Sequence, residues 1–567
     1  MKPPMKKTFL STLLVLFMGG FVWSQEVQYL RFTIEEHSEL EQITRMISID
    51  KVVGDTVFAY AQPDQLETFQ QQASFKITLL PLPGSQYRSL KMAKHTLSTG
   101  KWDQYPTYNG YQQMMDSLAS AYPALCRLDT IGLSTGNRWL LAMRITDNPA
   151  IQEDEPEIFY TSTIHGDETA GYVLMLRLID TLLSSYGNDP RLTRLVNELD
   201  IYINPNANPD GTYAGGNQSV DGAIRYNANG ADLNRNFPDP EDGAHPDGRS
   251  WQPETQAMMN FAQNHHITLS ANFHGGTEVA NYPWDTWSRS HTDDAWFKHL
   301  STVYAQSAQE NSPDGYFTSL TSSGIINGYD WYPVSGGRQD YMTYFHQARE
   351  VTLEISDEKL PPASRLPDLW EYNHEAMLLY MEEALYGIRG VVTDTAGNPL
   401  KAIIVAESHD QEQDSSMVFT DPAAGNYHRM ITEGTYDLRF SARGYEDAVV
   451  EGVEVTRGEV VRVDVEMRRQ DVGLDRPGDG VGWKIYPNPF RDVLYVEADL
   501  GNPEGTVLVM LFDVQGRLVT TKAIKSIDSG RQRFRLSFND QDLPVGPLYL
   551  VIETSRGRFT RNILHLR

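Results

Sequence analysis

The chain has 567 residues, one cysteine and a formal net charge of −27, with an isoelectric point near 4.9. That length exceeds what one hydrophobic core sustains and predicts roughly three or four domains at about 150 residues each. The acidic balance excludes nucleic acid as a partner, because binding it needs clustered Lys and Arg to neutralise phosphates, and the lone Cys126 excludes an intrachain disulfide and reads as a buried core thiol.

In chain order, Lys2, Lys6 and Lys7 precede the apolar run FLSTLLVLFMGGFVW and the small Ser24, the pattern of a secretory signal peptide over residues 1–24. No later stretch reaches membrane-spanning length, so no transmembrane segment is expected in the mature chain. Residues from about 26 to 84 alternate strand-like and helix-like pieces, VQYLRFTI, SELEQITRMI, VVGDTVFAYA, PDQLETFQQQ and FKITLLPL, and predict a small α+β unit. From about 100 to 385, EIFYTSTI, LDIYINP, ITLSANF and EVTL alternate with the helical AGYVLMLRLIDTLLSS and PETQAMMNFAQNHH. This alternation predicts an α/β domain with a mixed, mainly parallel sheet and flanking helices. After Tyr386, short β runs separated by Gly, Pro and Asp turns predict a β-sandwich over 386–467. Residues 468–482 read as a linker, and a last all-β module fills 483–567.

All four strand-like pieces of the α/β domain run straight into polar residues. EIFYTSTI leads to His165-Gly-Asp-Glu168, LDIYINP to NPDG, ITLSANF to His274-Gly-Gly and EVTL to Glu354. Open α/β sheets place ligand sites just beyond the carboxyl ends of their strands, so separated segments converge there. Two His and one Glu form a catalytic-type zinc shell with a fourth position left for water, and a second carboxylate is then placed to act on that water. Singly, His165 and His274 are turn histidines and Glu168 a first-turn helix carboxylate; it is their occurrence together with Glu354 that favours a site. His265 and His266 end a helical run, where imidazolium suits the dipole, and WFKHLSTVY reads as the core face of a helix.

The order HxxE, NPDG, RYNANGADLNRNF, HGG, NYPWD, WYPVSGGRQDY and EVTLE resembles that of the zinc metallocarboxypeptidases over about 100–385. The wording is similar to the regulatory, N/E-type branch, whose catalytic domain is followed by a transthyretin-like sandwich. The α+β unit is similar in pattern and position to the prosegments that precede many such domains. The resemblance implies one Zn²⁺ held by His165, Glu168 and His274, with Glu354 as general base and Arg225 stabilising the oxyanion. It implies that Asn234 and Arg235 hold the substrate's terminal carboxylate and that Tyr332 closes over it. It assigns Asp285 and Gln339 to a pocket for C-terminal Lys or Arg, Asp285 being otherwise a turn or N-cap residue of PWDTW. Arg338 departs from the branch, which often carries an apolar residue there, and a cation pointing into the pocket would repel a basic side chain. The last module, with IYPNPFRDVLYVE, LFDVQGRLV and GPLYLVIETSRGRFTRNILHLR, resembles the C-terminal sorting domain of type IX secretion substrates. It implies transfer across a Gram-negative outer membrane, removal of the module, and release or surface attachment. The expectation is a monomeric, secreted metallocarboxypeptidase whose partners are peptide and protein C-termini and the type IX machinery. The alternatives are a carboxypeptidase or amidase acting on murein stem peptides, and a catalytically inactive peptide-binding surface protein; Asp285 and Gln339 argue against the first and Glu354 against the second.

Overall fold

The computed structural model describes residues 27–72, 74–83, 90–93, 102–470, 484–500, 504–514, 516–527, 530–538, 543–554 and 557–566. The signal peptide expected at 1–24 and most of the linker expected at 468–482 lie outside the described residues. The chain divides into two compact units, Met1–Arg468 and Arg469–Arg567. Among the described residues no helix is long and apolar enough to cross a membrane.

The centre of the first unit is an eight-stranded sheet. Its order is Ile325–Asn327, Thr277–Tyr282, Arg349–Ser356, Ile267–His274, Glu157–Ser162, Asp200–Asn204, Trp139–Ile145 and Cys126–Leu133. The middle four strands are mutually parallel and are the four segments that end in polar residues. Thr277–Tyr282 and Trp139–Ile145 flank them antiparallel. Every residue of the middle four is buried, as a parallel sheet covered on both faces requires. The period of two divides them between two cores. Ile158, Tyr160, Ile201 and Ile203 pack with the helices Ala170–Ser185, Asp294–Glu310 and Leu366–Glu382, whereas Phe159 and Tyr202 pack with Pro253–Asn264 and Arg338–His346. Trp296, Phe297, Leu300 and Tyr304 form the inner face of Asp294–Glu310, as expected of WFKHLSTVY. The helix that begins at Pro253 stops at Asn264, and His265 follows in extended backbone. His265 is stacked on Phe261 with ring centroids 3.9 Å apart. Burial pushes its pKa down, so a neutral ring replaces the imidazolium expected there.

The N-terminal unit is an antiparallel sheet in the order Ser48–Val53, Thr56–Ala61, Gln28–Thr33 and Thr78–Leu80, backed by the helix Pro63–Gln72. VVGDTVFAYA is broken into a hairpin at Gly54, whose φ of +57° suits a residue without Cβ. SELEQITRMI yields only the short helix Leu40–Ile43, because Ile43, Ile47 and Ile49 are drawn into one apolar cluster as the chain turns into the next strand. After the α/β domain, strands of two four-stranded sheets enclose Ile388, Val392, Ile404, Tyr427, Leu438 and Phe440. This sandwich is tied to the α/β domain by Asp293, which accepts from Arg349 (2.9 Å), Arg429 (2.8 Å) and His409 (2.8 Å). The second unit is a separate sandwich of three- and four-stranded sheets around Phe490, Leu494, Leu550 and Ile563.

Candidate metal and catalytic centre

His165 and Glu168 lie in the loop between the strand ending at Ser162 and the helix starting at Ala170. Glu168 therefore precedes the helix, whose N-cap is Thr169. The loop folds tightly against the Pro209–Thr212 turn: a Cβ on Gly166 would come within 2.3 Å of the Gly211 backbone, so neither residue tolerates a side chain. His274 ends its own strand, and Glu354 sits directly opposite it on the neighbouring strand, which continues to Ser356. That register puts both side chains on one face of the sheet.

The three shell residues converge. His274 Nδ1 is 2.8 Å from Glu168 Oε2, His165 Nδ1 is 3.0 Å from Glu168 Oε1, and the two Nδ1 atoms are 3.2 Å apart. His165 Nε2 lies 3.1 Å from Asp232 Oδ1, a carboxylate that takes its N–H and so leaves the Nδ1 lone pair directed at the shared point. The other ring nitrogen of His274 is 2.8 Å from the Asn272 amide. Lone pairs meeting at these distances repel one another unless a cation lies between them, and two imidazoles with one carboxylate suit Zn²⁺. Protonation states agree with a ligand role. Burial lowers the pKa of His274 to about 4, keeping it neutral. For Glu168, burial opposes charge, but His165, Lys359 and His274 together hold the carboxyl well below its usual range.

The other expected residues surround this point. Arg225 is 3 % exposed, with Nε 3.0 Å from Asp232 and Nη1 3.2 Å from His165 Nδ1. Among the described residues no hydrogen bond reaches Glu354 Oε2 or Arg235 Nε, although both atoms are buried. These two unmet groups are where a water proton and a carboxylate would fit. Burial, then the charge of Glu168, raises the Glu354 pKa well above that of an ordinary carboxyl. Asn234 Oδ1 accepts from the Arg338 backbone N–H at 2.9 Å, which fixes its amide.

Asp285 is buried, at 4 % exposure. It accepts from Gln339 Nε2 at 2.9 Å, and Gln339 is oriented in turn by the Thr352 N–H at 2.8 Å. Burial raises the Asp285 pKa to about 7, the nearby Asp239 and Glu350 adding to the effect. Gly328 packs directly against it, since a Cβ there would stand 1.7 Å from Asp285 Oδ1. Arg338 finds its partners elsewhere. Its side chain is 1 % exposed, runs over the Phe159 ring, bonds Thr161 and pairs with Glu350 at 2.8 Å.

Three contributors went unsingled in the sequence. Asp232 stood inside the motif DLNRNF without a role. Lys359, whose Nζ is 2.6 Å from Glu168 Oε1, and Asp50 of the N-terminal unit, 2.7 Å from that same Nζ, carry no spacing signal, since only the fold brings them to the site.

Residues 111–376 match the family described as zinc carboxypeptidase, 387–468 the carboxypeptidase regulatory-like domain, and 484–564 the secretion system C-terminal sorting domain. The chain is 36% identical over 357 residues to carboxypeptidase M of Mus musculus, covering 60% of this chain and 79% of that protein. It is 32% identical over 401 residues to the carboxypeptidase N catalytic chain of Mus musculus, covering 64% and 86%. It is 37% identical over 372 residues to carboxypeptidase D of Anas platyrhynchos, covering 63% of this chain and 26% of that protein. The chain thus spans about a quarter of the length of the carboxypeptidase D relatives.

Proposed function

We propose that this chain, which belongs to the zinc carboxypeptidase family, is a secreted exopeptidase that removes single C-terminal residues, preferring Lys and Arg, from peptides and proteins. The observation that carries this reading is the convergence of His165, Glu168 and His274 beside a Glu354 carboxylate with an unmet oxygen.

His165, Glu168 and His274 would hold Zn²⁺, which would supply Lewis acidity to the reaction. Glu354, whose buried Oε2 no hydrogen bond reaches among the described residues, would accept a proton from the attacking water. Its raised proton affinity lets it hold the proton and pass it to the leaving amine. Arg225, fixed by Asp232, presents its guanidinium to the negative charge that develops on the scissile carbonyl oxygen. Arg235 offers its open Nε to the substrate's terminal carboxylate, beside the fixed Asn234 amide. Tyr332, whose hydroxyl donates to the Asp50 carbonyl at 3.3 Å, is assigned to close over this group. Asp285, ionised on meeting a cation and steadied by Gln339, supports the basic preference, and Arg338 is turned away from it into its pair with Glu350. The sorting domain at the C-terminus supports export to the medium or the cell surface of a Gram-negative bacterium through the type IX machinery.

Glu354→Gln tests the chemistry: kcat should fall by roughly 10³ with zinc content unchanged. An active Glu354→Gln chain would remove this residue from the mechanism.

A further inference from the structure

Asp285 belongs to residues 283–293, which join the strand Thr277–Tyr282 to the helix Asp294–Glu310 and form neither helix nor strand themselves. Backbone of that kind has no ladder to fix it, so contacts at its two ends decide where it lies. At the first end the α/β domain grips it. Asp340 accepts from the N–H groups of Asp285 (3.1 Å) and Thr286 (2.8 Å), and Asp239 accepts from Thr286 Oγ1 (3.1 Å).

At the other end the grip comes from the β-sandwich. Asp414 Oδ1 accepts from Arg289 Nη1, and Asp414 Oδ2 from the Thr292 N–H (2.9 Å). The Gln413 carbonyl accepts from Arg289 Nη2 (2.8 Å) and the His409 carbonyl from Thr292 Oγ1 (2.8 Å). The Arg289 guanidinium so held lies over the Trp287 ring, 4.0 Å from its centroid, and Trp287 meets Trp284 edge-on at 5.1 Å. The restraint is thereby carried back along the segment to the neighbour of Asp285. Ser415, next in the sandwich loop, accepts from Gln347 Nε2 (2.7 Å), and Gln347 caps the helix Arg338–His346 on which Gln339 stands.

The sandwich loop is itself fixed. Asp410 accepts from the Ala406 N–H (2.7 Å) and from Ser416 Oγ (3.2 Å), closing the loop on itself. The Asp414 side chain is 2 % exposed, yet both partners of its carboxylate lie in the α/β domain. Joining two domains by packing alone needs no buried carboxylate, whose desolvation costs stability unless it is paired.

We propose that Asp414 of the sandwich is a positioning residue for substrate selection: through Arg289 and Thr292 it holds residues 283–293, and so Asp285, in the arrangement that receives a C-terminal Lys or Arg. The sandwich thereby shapes specificity without touching substrate.

The proposal rests on the exopeptidase reading with its basic preference, and its test separates the two. The zinc-loaded chain is compared with Asp414→Asn and with Thr292→Val, which removes only the hydroxyl bonded to His409 and leaves every charge in place. Amide hydrogen exchange over 283–293 is measured alongside KM and kcat for blocked dipeptides ending in Arg or Leu and equilibrium binding of benzoyl-arginine and benzoyl-leucine. Asp414→Asn should speed the exchange and raise KM for Arg roughly tenfold, with kcat and the Leu values unchanged. Thr292→Val should move the same quantities in the same direction by less, and it carries the test alone if Asp414→Asn does not fold. Faster exchange with weaker Arg binding and unchanged Leu binding, but hydrolysis by no chain, supports the positioning role and overturns the exopeptidase. An unsubstituted chain that binds Arg no better than Leu overturns the basic preference and this role with it. A preference for Arg over Leu that is equal in all three chains, even beside a lowered unfolding midpoint, leaves Asp414 a joint between domains and overturns the proposal.

Discussion

Both ring nitrogens of His165 are committed, Nε2 to Asp232 and Nδ1 to the point shared with Glu168 and His274. An Asp232→Asn side chain accepts that N–H less strongly and releases Arg225, so zinc affinity should fall by roughly 10–100-fold in competition against a chelator. Unchanged affinity would show that Asp232 serves Arg225 alone. Asp285 sets a pH dependence. With a pKa raised to about 7, it is protonated below that pH and anionic above it. The ratio of kcat/KM for C-terminal Arg over Leu should therefore rise from pH 6 to pH 8, and Asp285→Asn should flatten the profile and lower the ratio by roughly 10². A ratio that falls with pH would contradict the pocket assignment. The sequence displayed this site unevenly. His165, Glu168, His274 and Glu354 were legible because each follows an apolar strand, whereas Lys359 lies past the end of its strand and Asp50 sits in the small N-terminal sheet, so neither had a local pattern to mark it.

At the scale of elements, Arg338 belongs to the packing of its helix against the sheet, through Glu350 of the strand Arg349–Ser356. Arg338→Met leaves Glu350 as a buried unpaired charge and should cost about 3–5 kcal/mol in denaturant unfolding, with little change in the preference for Arg over Leu. A stable variant with a sharpened basic preference would return Arg338 to the pocket. Element type was readable from periodicity: AGYVLMLRLIDTLLSS is the helix Ala170–Ser185, and the four strands fall where the apolar runs stand. The register was not readable. Nothing local states that His274 faces Glu354, because strand neighbours are chosen by helices and crossovers many residues away. SELEQITRMI failed as a long helix for a related reason, its apolar residues being claimed by the cluster shared with Trp331 and Tyr332.

At the scale of the molecule, two independent units are expected to unfold separately. Asp293 binds Arg349 of the sheet and Arg429 of the sandwich, so the α/β domain and residues 387–468 should lose structure in one transition. Asp293→Ala leaves Arg349 without its carboxylate partner and Arg429 with Asp410 alone, and should lower the midpoint of that transition, leaving the transition of 469–567 where it was, as followed by calorimetry. Two separate transitions for the α/β domain and the sandwich in the unsubstituted chain would refute the coupling. The change in texture after Tyr386 was visible in the sequence, but this bridge was not, since its members are 56 to 136 positions apart.

The most direct measurement is the release of amino acid from blocked dipeptides ending in Arg, Lys, Phe, Leu and Glu by the zinc-loaded chain, with Glu354→Gln as control. The structure predicts release of Arg and Lys ahead of the other three, lost in the control. Release of none of the five residues would contradict a carboxypeptidase, and release of Phe or Leu ahead of Arg and Lys would contradict the assignment of Asp285 to a basic side chain.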